Sequence, residues 1–143
     1  MTPTVPELLQ GNFIALIEPP PPESSGDFLQ SRVAVTGMIS LLCAQEAERG
    51  IAARVWENRA IRALLTRSAP TYGARFAEAA AGEDTDLSLA AMDRANADLR
   101  RALIDLHIAV ETARDATLDT EIRGLYVRMA DARRLDLPPL PAG

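Results

Sequence analysis

Between Leu89 and Ala113 the chain carries a stripe that steps by three or four residues: Leu89, Met92, Asn96, Leu99, Leu103, Leu106, Val110 and Ala113. Only Asn96 breaks its apolar character. Such spacing places every member on one side of an α-helix, with Asp93, Arg94, Arg100, Arg101, Asp105, Glu111 and Arg114 facing outward. The spacing predicts a helix over residues 87–113, roughly 40 Å long at ~1.5 Å per residue. An apolar stripe of that length needs partner helices of similar length. Aromatic residues are scarce at 4%, which disfavours a sheet sandwich, where β-branched and aromatic side chains dominate. The expected fold is therefore all-α: a mainly antiparallel helical bundle of three or four major helices.

The rest of the chain supplies the partners. Asp27, with Gln30 three residues on, has the pattern of a helix N-cap. From Val33 to Ala44 the sequence is apolar nearly all round, interrupted by Gly37 and Ser40. A helix hydrophobic on all sides is normally buried on all sides, so this segment is expected at the centre of the core. Gly50 marks a kink, a break that would fold residues 27–67 into a hairpin, or a point the helix runs through. Residues 51–67 read as a helix with several contact faces, ended by Ala69-Pro70. A short Ala-rich piece follows, and Gly82 is its natural stop. Asp84, Thr85 and Asp86 can cap the main helix. After Ala113 the stripe slips phase: a turn at 115–117 capped by Thr117 explains the slip best, a local stutter in a continuous helix being the alternative, and the last helical stretch carries Leu118, Ile122, Leu125 and Met129.

Prolines divide the chain. Pro19 to Pro22 forbid a helix, so residues 1–26 read as an N-terminal arm and Pro-rich linker, with Phe13 to Ile17 open between helix and extended segment. Residues 27–134 form the bundle, and 135–143 a Pro-rich C-terminal tail.

Charge narrows the function. The net charge is −5, whereas a chain that coats duplex DNA carries the opposite balance; nucleic-acid binding is not expected. All fifteen basic residues are Arg. Six of them lie in residues 49–76 with the single acid Glu57, a basic island between acidic flanks. Its simplest use is pairing with those flanks in the fold. The longest apolar run, Val33–Ala44, is about half of the ~20 residues that cross a bilayer, and Met1 is followed by no secretory pattern. A soluble cytoplasmic protein with no membrane contact is expected. Cys43, the one cysteine, reads as a small buried hydrophobe.

No catalytic pattern stands out. One His and one Cys cannot build a structural zinc site. A di-iron bundle needs two Glu-x-x-His motifs, and Ile104 stands three residues before His107. No Gly-x-Ser-x-Gly elbow and no Gly-rich phosphate loop occur. Neither a metal nor a cofactor is expected, and Asp105, Glu111, Asp119 and Glu121 are spaced like a solvated face.

Arg100 and Arg101 stand seven and six residues before His107. An Arg followed by four to six residues and then His resembles the motif of HEPN-type ribonucleases, which are all-helical dimeric bundles of about this size. The resemblance implies Arg100 or Arg101 and His107 as catalytic residues. It covers those positions alone, and Ala102 replaces the polar residue of the family pattern. The plain alternative is a rim histidine bonded to Glu111. Trp56 among Arg54, Arg59 and Arg62 could stack a guanidinium or bind an anionic ring, or serve as a packing anchor. Asn96, polar within the stripe, fits a residue that fixes the register of a helical interface.

The function expected from these features is that of a small non-enzymatic helical interaction or regulatory protein, acting as a homodimer and open to a protein partner through its arm. The competing classes are a HEPN-like ribonuclease at Arg100, Arg101 and His107, and an anionic-ligand binder near Trp56.

Overall fold

A computed structural model describes residues 3–17 and 26–136, all of whose regular structure is helical. The helices are α1 (Val5–Ile17), α2 (Gly26–Tyr72), α3 (Arg75–Ala80), α4 (Leu89–Ala113) and α5 (Ala116–Ala132). The all-α expectation holds, and the arm segment left open between helix and strand is helical. The cap expected from the Asp27 and Gln30 side chains, the linker at 18–25 and the Pro-rich end of the tail lie outside the described residues.

The chain divides into two compact units. One comprises residues 1–50 with 134–143, and the other residues 51–133. The boundary falls within α2, whose helical hydrogen bonding runs through Gly50 without a break.

Unit 51–133 holds the main core. Ile61, Leu64 and Leu65 from α2, Phe76 from α3, Leu99, Leu103, Leu106 and Val110 from α4, and Ile122, Leu125 and Met129 from α5 bury one another. The α4 stripe is the sequence pattern realised: Met92, Asn96, Leu99, Leu103, Leu106 and Val110 are all buried.

The direction of packing follows from paired residues. Between α2 and α4, Arg54 meets Asp93 and Glu57 meets Asn96; the numbers rise together, so the helices run parallel. Between α2 and α5, Glu57 meets Arg133, Arg67 meets Glu121 and Tyr72 meets Asp115. Here one rises as the other falls, which is antiparallel. The same holds for α4 and α5, where Asn96 meets Arg133 and His107 meets Asp119. Two of the three pairings are antiparallel. The parallel one is possible because α3 and the loop after it carry the chain back to the start of α4.

Several boundaries differ from the sequence expectation. α2 continues past Pro70 to Tyr72. Pro70 sits in the last turn, where it removes only one helical hydrogen bond, and Gly73 at φ +121° ends the helix instead. α4 starts at Leu89, with Ser88 as cap accepting from the Ala91 amide; Asp86 supports Ser88 by accepting its N–H at 2.8 Å. The turn before α5 falls at Arg114-Asp115, and Asp115, not Thr117, caps it by accepting from the Leu118 amide.

In the unit of residues 1–50 and 134–143, the expectation for Val33–Ala44 is overturned. Val33 and Val35 are exposed at 63% and 52%, and Leu41 is half-exposed. A helix is covered only where another element reaches it. Here Asp136 reaches Gln45, exchanging backbone N–H and carbonyl bonds with its side-chain amide at 2.7 and 2.8 Å. Arg49 adds an ion pair to Asp136 at 3.3 Å.

Candidate functional site

Two polar clusters lie within the unit 51–133. The first threads the upper part of the core. Glu57 is fully buried, and Arg133 grips it with both Nε and Nη2, at 2.6 and 2.8 Å. Asn96 donates to Glu57 Oε2 and to Asn58 Oδ1, and accepts from Arg133 Nη2, each at 2.9 Å. Asn58 then donates to Asp84, which also receives Arg62 Nη2 at 2.8 Å. The Arg62 guanidinium, followed by the Asn58 amide, holds the Asp84 carboxyl below its ordinary pKa. The chain of bonds leaves each carboxylate with a cationic partner, the condition under which buried charge is tolerated. Asn96 therefore bonds within its own chain, from α4 across to α2 and to the residue after α5.

The second cluster sits where α4 and α5 approach their connecting turn. His107 Nε2 lies 2.8 Å from Asp119 Oδ1 and 3.7 Å from Glu111 Oε1. Arg123 joins the two acids, donating from Nε to Asp119 at 2.8 Å and from Nη2 to Glu111 at 3.1 Å. The Tyr126 ring lies against His107, with centroids 5.5 Å apart. Hydrogen bonds from Arg123 and then from His107 hold the Asp119 carboxyl below its ordinary pKa, and Asp119 in turn raises that of Arg123. A hollow of about 360 Å³ opens beside the cluster, lined by Glu111, Arg114, Asp115, Asp119 and Arg123.

The residues singled out in the sequence are distributed as follows. His107 has the Glu111 neighbour expected one turn on, but its nearer partner is Asp119, from the facing helix. Arg101 is exposed and pairs with Asp98 at 3.2 Å. Arg100 is exposed and acts electrostatically on Tyr126. Arg54 is buried against Asp93 at 2.6 Å, which makes it part of the scaffold. Arg62 belongs to the first cluster. Arg59 and Arg62 line a hollow of about 350 Å³ with Val55, Gly82, Glu83 and Asp84; Trp56, 38% exposed, is not in its wall. Of the basic island, Arg49, Arg54, Arg62 and Arg67 pair with acids later in the chain.

Asp119, Arg123 and Tyr126 were not among the sequence candidates for the His107 site. The signal that locates them is the turn itself: folding α5 back on α4 at Arg114-Asp115 sets residues 119 to 126 against 107 to 111. Compared with protein-family models, with curated proteins and with solved structures, the chain finds no match. No described helix is long and apolar enough to cross a membrane.

Proposed function

We propose that the protein is a small non-enzymatic helical interaction or regulatory protein that acts as a homodimer through the first half of α2. The observation that carries this reading is the row Leu29, Val33, Gly37 and Leu41. These residues recur every fourth position and so form one ridge of the helix. Leu29, Val33 and Leu41 are exposed, and nothing lies within 4 Å of a side-chain carbon placed at Gly37.

The ridge is close to self-complementary about Gly37, with Val33 four residues before it and Leu41 four after. A two-fold interface applies the same patch to itself. Two α2 helices crossing at Gly37 bring their backbones close there and set Val33 of each against Leu41 of the other. A second copy of the chain is therefore the occupant that best fits this face.

Sedimentation at low micromolar concentration tests the reading. The parent is expected at twice 15.4 kDa. Gly37→Leu is the diagnostic variant, because the open space at Gly37 accepts the side chain within one copy while a crossing helix does not. It is expected to sediment at 15.4 kDa with helical content unchanged. A parent at the monomer mass, or a dimer indifferent to Gly37→Leu, sinks the proposal.

A second reading keeps the Arg59 and Arg62 hollow as an anion site, since Arg62 Nε is buried there without a hydrogen-bond partner. Titration with inorganic phosphate, followed by Trp56 fluorescence and repeated in Arg59→Ala, decides it: a saturable change lost in the variant supports it, and no change ends it.

A further inference from the structure

The geometry points to a divalent-cation site of the zinc type at His107, Glu111 and Asp119, with Arg123 occupying it when no metal is bound. It does not depend on the proposed dimer.

The donor atoms meet a geometric requirement that ion pairing alone does not impose. His107 and Glu111 are one helical turn apart on α4, so both point the same way. Asp119 faces them from α5. One ligand atom from each of the three lies within 4.8 Å of the other two. A tetrahedral ion with bonds of about 2.0–2.2 Å holds its ligand atoms roughly 3.3 Å apart. The distances from His107 Nε2, 2.8 Å to Asp119 and 3.7 Å to Glu111, bracket that value. Admitting the ion requires Glu111 and Asp119, whose ligand atoms lie within 4.8 Å, to close on it and Arg123 to release both.

The electrostatics are also favourable. Two carboxylates face one guanidinium around the imidazole, which leaves a net negative charge. Arg123 is 61% exposed, so its guanidinium can swing into water, and exposed pairs of this kind hold weakly. In the Nε2–H tautomer, His107 donates to Asp119 Oδ1. With metal, the neutral ring carries its proton on Nδ1 and turns the Nε2 lone pair to the ion. Three protein ligands leave a fourth position open, and the adjoining hollow of about 360 Å³ shares Glu111 and Asp119 in its wall. The ligand class is a borderline divalent ion, since imidazole with carboxylates suits zinc and its neighbours better than calcium.

The test uses the untagged 143-residue chain and zinc chloride in calorimetric titration, with cobalt(II) as an absorbing probe. The expected result is one ion per chain and cobalt bands typical of four-coordination. His107→Gln and Glu111→Gln should each weaken binding by at least tenfold, a loss that even second-shell changes reach (~10–100-fold). Glu111 is exposed, so Glu111→Gln keeps the test valid if His107→Gln fails to fold. Arg123→Ala should bind more tightly, because a competing cation is gone. Cys43→Ser should bind like the parent. Absence of binding, binding unchanged in Glu111→Gln, loss in Cys43→Ser, or no gain in Arg123→Ala would each overturn the assignment.

Discussion

Glu57 shows how much one side chain can commit a fold. It is a fully buried acid on α2 whose two oxygens receive Arg133 and Asn96. Glu57→Gln keeps the shape and removes the charge, leaving Arg133 without its counter-ion. Breaking a buried pair in this way costs about 3–5 kcal/mol, read as a lowered urea midpoint with the slope unchanged. Replacing Glu57 and Arg133 together by Met should recover most of that loss, because no buried charge is then stranded. Asp84 supplies a pH dependence. Its folded pKa lies below the ordinary 3.8, so its contribution is complete above that value and is lost as the pH falls through the folded pKa. Asp84→Asn should therefore be less stable than the parent at pH 7, and the gap between the two should close below about pH 3.8. A gap that stays constant down to pH 2 would remove Asp84 from the ledger of acid sensitivity.

α2 and α4 end where a residue takes a left-handed conformation that the helix cannot. Gly73 ends α2 at φ +121°, with no atom within 4 Å of a side-chain carbon built there. Any penalty for Gly73→Ala must therefore come from the backbone, not from a clash. It should cost about 1–3 kcal/mol, whereas Gly37→Ala, in a regular stretch of α2, should raise helix stability by roughly 1 kcal/mol in the monomer. Comparing the two by thermal unfolding separates backbone strain from packing. The α4–α5 turn works similarly, with Arg114 at φ 56° and Asp115 capping the next helix. That short connection brings His107 to Asp119.

For the molecule as a whole, the apolar row on α2 makes assembly and stability one question. If the folded chain dimerises there, dilution shifts unfolding by mass action, and the melting temperature rises with protein concentration. Over a hundredfold concentration range the parent is expected to show this rise, and Gly37→Leu to show none. Equal melting temperatures at both ends of the range for the parent would mean that the row on α2 is not an association surface.

Local physics settles which parts of this chain are legible. The α4 stripe was readable because a period near 3.6 leaves few alternatives, and Leu103 and Leu106 are buried as that period requires. The all-helical class and the breaks near residues 82 and 114 follow from similarly short-range signals, whereas the acids that pair with the Arg island stand 22 to 87 residues away, in the later flank. Asn96 was visible as an anomaly, but its role was not: its partners Glu57, Asn58 and Arg133 stand 37 to 39 residues away, beyond any local pattern. The Val33–Ala44 segment was misplaced for the same reason, since composition reports that a surface is apolar and not which element reaches it. His107 could be paired with Glu111 from helical spacing alone. Asp119, Arg123 and Tyr126 joined it only when α5 packed back against α4, because the closeness of side chains on two helices is set by how their faces meet.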